Sequence, residues 1–257
     1  MRVDFRKYQA TGNDFVMLDN RAGEYSALTT DQVAFICSRR FGVGADGLIL
    51  LQNHTSYDFE MVYYNSDGNQ STMCGNGGRC IVRFAHDLGV IGDEATFLAI
   101  DGEHKAKVTP DVIHLQMIDV PFVEGKDAHD FLDTGSPHHV DFVEDVMNYP
   151  IVAKGREIRN STRYEPIAGT NVNFVTITDG GIKVRTYERG VEDETYSCGT
   201  GVTACALLSS LKGYSSPVPI YTKGGELSVS FERNDTAFHN VWLNGPAKLV
   251  FSASIEV

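Results

Sequence analysis

The sequence has little positive charge for its length. Its 257 residues include 22 Lys and Arg against 34 Asp and Glu, which gives a net charge of −12. Nucleic acids and anionic membranes bind proteins through clustered Lys and Arg, so the composition argues against both as partners. A site for a small molecule stays open, because net charge says little about one cleft.

Long apolar runs are also missing. No stretch approaches the ~18 apolar residues of a membrane-spanning helix, and the N-terminal MRVDFRKYQATGNDF has no apolar segment of the kind that marks a signal peptide. We therefore expect a cytoplasmic protein. With 42% hydrophobic residues, the composition is that of an ordinary globular chain, long enough for two modest domains.

The cysteines do not follow the usual metal or redox spacings. There are five, at Cys37, Cys74, Cys80, Cys198 and Cys205. An odd number in a long chain argues against a disulfide framework, and no Cys-x-x-Cys pair is present. The C-x2-C spacing of zinc sites is absent, so no metal is expected. Neither cysteine motif follows the phosphate-binding patterns GxGxxG or Walker A.

Two cysteine motifs are instead repeated along the chain. CGNGGRC begins at residue 74 and CGTGVTAC at residue 198, 124 residues later. Other features recur at an offset of 123 or 124: residues 11–13 match 134–136, 46–49 match 170–173, 64–65 match 188–189, and 102–103 match 225–226. We infer two homologous halves, 1–119 and 120–257, with the last strand a candidate for pairing with the first domain.

Each half shows the same order of elements. Helices are predicted over residues 29–40, after Cys74 up to Gly89, and over 201–213. Strands are predicted at 15–20, 47–52, 58–65, 95–100, 104–109, 112–117, 138–143, 173–178, 183–188, 227–232 and within 240–252. The connections are short, so we expect an α/β (α+β) protein with mostly antiparallel sheets.

The position of the leading cysteines predicts reactive thiols. Cys74 and Cys198 lie where a turn gives way to a helix, and the free N–H groups and dipole of a helix N-terminus favour an anion. Such a position can lower a thiol pKa from ~8.5 into the range of about 3.5–7.5. Cys80 and Cys205 fall among small or apolar residues, and Cys37 within a predicted amphipathic helix, so these three are interpreted as packing residues.

Two matched acidic thiols suggest the inversion of a stereocentre. One group removes a proton from one face of a carbon and the other returns a proton to the opposite face, with the roles exchanged in the reverse direction. The helix N-termini would hold a carboxylate, where charge develops as the proton leaves. A non-catalytic protein that binds an anionic metabolite at the same helix ends is the alternative.

A set of longer motifs carries a family resemblance. ATGNDFVMLDN, GVGADGLIL, YYNSDGNQSTMCGNGGRC, GSPHHV, GTNVNFV and YERGVEDETYSCGTG occur in this order over nearly the whole chain and resemble the diaminopimelate epimerases. The resemblance implies cofactor-independent interconversion of LL- and meso-2,6-diaminopimelate in lysine and cell-wall precursor synthesis. It also implies two domains, each a barrel-like sheet around a central helix, and a homodimer.

The resemblance also implies roles for individual residues. Cys74 and Cys198 would be the acid/base pair, with His138 beside the reaction centre and Glu188 meeting an ammonium group. The other implied substrate-binding residues are Asn13, Gly47, Asn65, Gly75, Asn76, Ser136, Asn171, Arg189, Gly199 and Thr200. Two features depart from the family pattern: Ser136 stands where Asn is usual, and the stretch from Arg189 to Cys198 is one residue longer, which we interpret as a loop bulge.

Two related families compete with this interpretation. Proline racemases and phenazine-biosynthesis isomerases are similar to the diaminopimelate epimerases in fold. The Asn set and the Glu188-Arg189 pair favour a substrate with a second amino-carboxylate end, which proline lacks. A phenazine-type isomerase is expected to lack the pair of cysteines that this chain keeps.

Overall fold

The computed structural model describes residues 1–121 and 131–257. They form two compact units, one of Met1–Leu115 with Gly245–Val257, the other within Gln116–Asn244. The boundary predicted from the sequence, between 119 and 120, lies a few residues further along the chain. No helix among these residues is both long and apolar enough to cross a membrane.

The first unit begins with seven strands and two helices. They are β1 (Arg2–Ala10), β2 (Asn13–Asp19), α1 (Thr30–Cys37), β3 (Gly47–Gln52), β4 (Phe59–Asn65), α2 (Gly75–Asp87), β5 (Glu94–Ala99), β6 (Gly102–Val108) and β7 (Ile113–Gln116).

The second unit contains eight strands, two α-helices and a short 3-10 turn at Glu165–Ile167. The strands and helices are β8 (Phe131–Asp133), β9 (Pro137–Phe142), α3 (Ile151–Arg159), β10 (Asn171–Thr178), β11 (Gly181–Glu188), β12 (Asp193–Thr195), α4 (Gly199–Ser210), β13 (Val218–Thr222), β14 (Gly225–Asn234) and β15 (Ala237–Gly245). The last strand, β16 (Lys248–Glu256), returns to the first unit and pairs antiparallel with β1.

The two units repeat one pairing pattern. In the first, the strand order is β16-β1-β2-β3-β4-β5-β6-β7, and in the second it is β15-β14-β13-β11-β10-β9-β8 with β12 beside β11. Pairing is antiparallel except at β2/β3 and β4/β5 in the first unit and at β9/β10 and β11/β13 in the second. The expectation of mostly antiparallel sheets is confirmed, with the parallel pairs at matching places.

One helix lies at the centre of each unit. Helix α2 contacts β1, β2, β3, β6 and β16, and α4 contacts β9, β10, β11, β13 and β14. Because these strands are spread along each sheet, the sheet curves around its helix. Nearly all of α4 and the first eleven residues of α2 except Arg83 are buried, so each helix N-terminus is surrounded by strand ends.

Helix boundaries differ in detail from the sequence prediction. Helix α1 ends at Cys37 instead of continuing through Ser38 to Arg40, because Ser38 adopts an extended conformation with ψ of 121°. Helix α2 ends as predicted before Gly89, whose φ of +69° suits glycine. The predicted strand region 240–252 is two strands, since residues 246 and 247 separate β15 from β16.

Candidate active site

The first cysteine of each motif is the N-cap of the central helix of its unit. Cys74 precedes α2 with φ −108° and ψ 126°, and Cys198 precedes α4 with φ −118° and ψ 117°. The helical hydrogen bonds start at the cysteine carbonyls, which accept from Gly78 N at 2.7 Å and Val202 N at 2.9 Å. The N–H groups of the first turn have no acceptor within the helix, so both thiols lie beside an anion-binding helix end.

In the first unit, Cys74 belongs to a chain of side-chain hydrogen bonds. The Cys74 Sγ lies 3.6 Å from Asn13 Oδ1, and Asn76 Nδ2 donates to the same oxygen at 3.3 Å. Arg79 Nη2 donates to Asn76 Oδ1 at 2.9 Å and to Thr11 Oγ1 at 3.1 Å. The predicted site residues Asn13, Cys74 and Asn76 are therefore in contact, and Arg79 is an addition that the sequence analysis missed.

The orientation of the Asn13 amide is determined from its other end. Asn13 Nδ2 donates to Asp46 Oδ2 at 2.5 Å, which leaves Oδ1 directed at Cys74. Arg39 Nη2 binds Asp46 at 2.7 Å and Asp14 at 2.8 Å, and Lys7 Nζ binds Asp14 at 2.8 Å. Asp14 is partly buried, but the Arg39 and Lys7 cations outweigh this and lower the pKa of its carboxyl group. The two carboxylates and the two cations thus balance in charge around Asn13.

The remaining first-unit residues of the predicted site lie at strand and helix ends. Gly47 starts β3, opposite Phe15 on β2 and Asn65 on β4. A Cβ at Gly47 would lie 2.5 Å from both Tyr63 Cε2 and the Tyr64 carbonyl oxygen, so only glycine fits there. Asn65 is exposed at the end of β4, and Gly75 is the buried first residue of α2.

In the second unit, Cys198 is linked to His138 through a hydroxyl group. The His138 Nε2 is 2.8 Å from Thr200 Oγ1, which lies 3.5 Å from Cys198 Sγ. Asn173 Nδ2 lies 3.1 Å from His138 Nδ1. The amide donates to Nδ1, so the imidazole proton is on Nε2 and is donated to Thr200, whose own proton can be donated to the Cys198 sulfur.

Asn173 is a second member of the hydrogen-bond network around the cysteines that the sequence analysis missed. Its Oδ1 accepts from Thr186 Oγ1 at 2.8 Å and its Nδ2 also donates to the His139 carbonyl at 2.9 Å, which determines the amide orientation. A Cβ at Gly201 would be 2.5 Å from Asn173 Oδ1 and 3.2 Å from His138 Cε1. The second glycine of CGTG thus leaves space for this polar pair. A polar residue between Val172 and Phe174 in a buried strand was the signal available in the sequence.

His138 is a neutral imidazole in this environment. Its complete burial lowers the pKa to about 3, with a further decrease from the positive charge of Arg189. The group therefore carries no charge at neutral pH, and its contacts make it a hydrogen-bond donor to Thr200. His138 is therefore placed to orient the Thr200 hydroxyl, and its position beside the reaction centre stays a prediction.

The burial of His138 predicts a loss of stability in acid. An unfolded histidine takes up a proton below pH ~6.5, whereas the native one does so only near pH 3, so acid favours the unfolded state throughout that window. Urea unfolding at pH 7 and pH 5 should show the wild-type free energy falling by about 2 kcal/mol more than that of His138→Gln. Equal pH dependence of the two proteins would contradict a buried neutral histidine.

Ser136, Asn171 and Arg189 form a second group of contacts in this unit. Asn171 Nδ2 donates to Ser136 Oγ at 2.9 Å and to the Pro137 carbonyl at 3.0 Å, and its Oδ1 accepts from the Arg189 N–H at 2.9 Å. The Arg189 guanidinium lies 3.1 Å from the Gly169 carbonyl. Asn171 therefore ties β9 to the end of β11, and contact between these side chains and substrate stays a prediction.

Glu188 is held by the hairpin that follows β11. Thr195 Oγ1 donates to Glu188 Oε2 at 2.8 Å, from strand β12 that folds back on β11. The hairpin turn contains Gly190 at φ +93° and Glu192 at φ +58°. The extra residue predicted between Arg189 and Cys198 falls in this stretch.

The other three cysteines are packing residues, as predicted from the sequence. Cys37, Cys80 and Cys205 are each at most 2% exposed. Burial raises the pKa of the Cys37 thiol to about 12 and also raises the pKa of the Cys80 and Cys205 thiols. No group of three or more His, Cys, Asp or Glu side chains suited to a metal ion lies within residues 1–121 and 131–257.

Comparison with known proteins places the chain in one family. The family model described as Diaminopimelate epimerase matches residues 5–120 and 131–250. Diaminopimelate epimerase from Flavobacterium psychrophilum is 52% identical, over 97% of this chain and 98% of that protein, and the one from Chlorobaculum tepidum is 43% identical, over 96% and 98%. A phenazine biosynthesis protein of the PhzF family from Bacillus anthracis shares the fold with a TM-score of 0.77, covering 100% of both chains at 13% identity. The chain belongs to the diaminopimelate epimerase family.

Proposed function

We propose that this protein interconverts LL- and meso-2,6-diaminopimelate without a cofactor, by acid/base catalysis with two cysteines. The observation that carries the proposal is the matched pair of half-sites, each with a cysteine as N-cap of a central helix, in a chain 52% identical to a diaminopimelate epimerase. The reaction would serve lysine and cell-wall precursor synthesis in the cytoplasm.

In this mechanism one thiolate removes the α-proton and the other thiol supplies a proton to the opposite face. The electron pair left on the α-carbon is delocalised into the adjacent carboxylate, whose oxygens gain charge. The first-turn N–H groups at Gly75, Asn76, Gly199 and Thr200 would receive those oxygens. Each cysteine ends the cycle with the other's protonation state, so the titration belongs to the pair.

The distal end of the substrate would be bound by the polar strand ends. Arg189 can bind a carboxylate through two parallel hydrogen bonds, and Glu188 can pair with an ammonium group. Asn13, Asn65, Ser136 and Asn171 would supply amide or hydroxyl contacts, and Gly47 only backbone. A substrate with two amino-carboxylate ends uses this set better than proline does.

Deuterium incorporation tests the reaction directly. The protein is incubated with LL-diaminopimelate in D2O without added cofactor, and the product is analysed by mass spectrometry and chiral chromatography. We expect meso product that carries one deuterium at an α-carbon. Exchange on proline with none on diaminopimelate would reassign the protein to the racemase reaction. Exchange on neither would favour the non-catalytic alternative, a protein that only binds an anionic metabolite.

We also propose a homodimer formed through the last strand. Leu249, Val250 and Phe251 on β16 are 47%, 56% and 44% exposed, and exposed apolar strands are sites of association. Sedimentation velocity at micromolar concentration should give a dimer, which Val250→Lys weakens at least tenfold. Val191→Lys, at an equally exposed apolar residue of the second unit, is the matched control. A monomeric wild type, or equal dimerisation of both variants, would contradict the proposal.

A further inference from the structure

Arg79 is a buried cation without a buried anion. The side chain is 0% exposed, and its Nε has no hydrogen-bond partner. Among the residues that the structure describes, no carboxylate pairs with this guanidinium. Burial lowers the pKa of Arg79 to about 10, so the group remains positively charged at neutral pH. An unpaired buried charge is costly, and its retention needs a reason.

The corresponding position of the second unit carries no charge. At the offset of 124 that relates the two cysteines, Arg79 matches Thr203, whose hydroxyl donates to the Gly199 carbonyl at 2.9 Å. Arg79 reaches the equivalent Gly75 carbonyl only at 3.5 Å and directs its stronger bonds to Asn76 and Thr11. A threonine is therefore sufficient to bond the carbonyl of the first helical residue. The arginine at this position must have a role that is specific to the first unit.

The two cysteines also have opposite polar neighbours. Cys198 lies next to a hydroxyl that can donate to its sulfur, whereas Cys74 faces a carbonyl oxygen, Asn13 Oδ1, at 3.6 Å. A carbonyl oxygen accepts from a thiol and disfavours a thiolate. Beneath α2, the matches of His138 and Asn173 are the apolar Phe15 and Ile49, which face Gly77. The first unit therefore lacks the neutral relay that supports Cys198.

The two carboxylates of the hydrogen-bond network at Asn13 are neutralised by cations. Asp14 on β2 and Asp46 before β3 are paired with Lys7 and Arg39, and Cys80 on α2 is a buried thiol with a raised pKa. Hydrogen bonds through Asn76 and Asn13 connect Arg79 to Cys74, and ionisation of Cys74 or Cys80 would act electrostatically on the Arg79 charge. Since Cys80 stays protonated, Cys74 is the one whose charge the guanidinium can stabilise.

We propose that Arg79 is a positioning residue of the first half-site: its buried charge stabilises the Cys74 thiolate against the Asn13 carbonyl, and its hydrogen bond to Asn76 holds that side chain at the helix end. This inference rests on the acid/base role proposed for Cys74. A reversible epimerisation needs both cysteines to take either protonation state. The buried cation offsets the effect of the Asn13 carbonyl on the Cys74 thiolate, so that the two thiols ionise over a similar pH range.

The rate of alkylation as a function of pH tests the charge effect without any substrate. Iodoacetamide modification of Cys74 and of Cys198 is followed from pH 5 to 10 by peptide mass spectrometry in the folded protein, which assigns the label to each cysteine separately. Cys198 is 8% exposed, whereas Cys37, Cys80 and Cys205 are at most 2% exposed and should react more slowly. We expect Arg79→Gln to raise the midpoint for Cys74 by about one pH unit and to leave that for Cys198 unchanged. Arg79→Lys should restore most of the wild-type profile.

A neighbouring arginine provides the matched control. Arg83 lies one turn further along α2 and binds the Thr109 carbonyl at 2.7 Å, away from Cys74. Arg83→Gln should leave both profiles unchanged. An unshifted Cys74 midpoint in folded Arg79→Gln, or equal shifts at both cysteines, would overturn the proposal.

Two further measurements keep the outcome decisive. Where Arg79→Gln does not fold, Arg79→Met takes its place. In the wild type, the alkylation midpoints of Cys74 and Cys198 should lie within about one pH unit of each other. A Cys74 midpoint more than two units above that of Cys198 would overturn the proposal. In the active enzyme, kcat should fall about tenfold in Arg79→Gln with KM little changed. If the Cys74 midpoint shifts as expected in Arg79→Gln but the wild type does not turn over diaminopimelate, the proposed function is refuted and the effect of Arg79 on Cys74 still stands.

Discussion

Replacement of either Cys74 or Cys198 by alanine should reduce epimerisation at least about 10³-fold, within the range lost when an acid/base group is removed. In the proposed mechanism both thiols act in one proton-transfer cycle, so the double variant should be hardly worse than either single one. Neither side chain belongs to the core clusters that contain Cys205 and Cys37, so the far-UV circular dichroism spectrum should be unchanged.

Cys37→Ala is the control for this experiment. Cys37 is the last residue of α1 and packs in the core of the first unit, outside both cysteine motifs, and its loss should lower stability modestly without lowering kcat. Rates are measured as α-deuterium exchange from LL- and from meso-diaminopimelate separately, because a single remaining thiol can still exchange one of them. Full epimerisation by either Cys74→Ala or Cys198→Ala would rule out the two-thiol mechanism.

The second large effect is expected from Thr200→Val. The change keeps the shape of the side chain but removes the hydroxyl that lies between His138 Nε2 and Cys198 Sγ. It leaves the imidazole N–H of His138 without its acceptor. In the proposed mechanism it also removes a donor to the Cys198 thiolate and to the substrate carboxylate. We expect kcat/KM to fall about 100-fold, which is the size of effect seen when one oxyanion donor is lost.

Two variants separate this role from a general loss of packing. Thr200→Ser keeps the hydroxyl and should retain activity within about threefold. Thr203→Val removes the hydroxyl of a buried threonine one turn further along α4, which donates to the Gly199 carbonyl, and should also remain active. Equal activity of Thr200→Val and Thr200→Ser would show that the hydroxyl is not required.

Part of the fold could be predicted because local signals agreed with the final packing. Alternating apolar residues and turn residues marked most strands, and the repeat at 123–124 residues anticipated that both units would share one pairing pattern. Helix α3 was not predicted, since Gly155 in its middle weakens the helical signal. In the structure Gly155 packs against Tyr187, where a Cβ would lie 2.3 Å from the Tyr187 Cβ. Close packing, which no local pattern reports, decides that helix.

The site was predictable to the extent that chemistry is visible in residue types. A cysteine before Gly-x-Gly at a helix start points to Cys74 and Cys198. Asn13 and His138, which lie near them in the structure, belong to other motifs of the family resemblance. Arg79 and Asn173 were missed because Arg and Asn usually indicate exposed positions. They are buried because each sheet curves around its central helix, which encloses polar side chains that a flat sheet would expose.

By itself, the sequence determined the two-fold repeat, the placement of a cysteine at each helix N-terminus and the family to which these motifs point, because these depend on residue types and spacings along one chain. Only the tertiary structure decided the differences between the two halves: a carbonyl and a buried cation near Cys74, a hydroxyl and a neutral histidine near Cys198. Protonation and hydrogen-bond direction depend on burial and on which groups meet in space, and the same CGxG motif therefore acquires a different electrostatic setting in each unit.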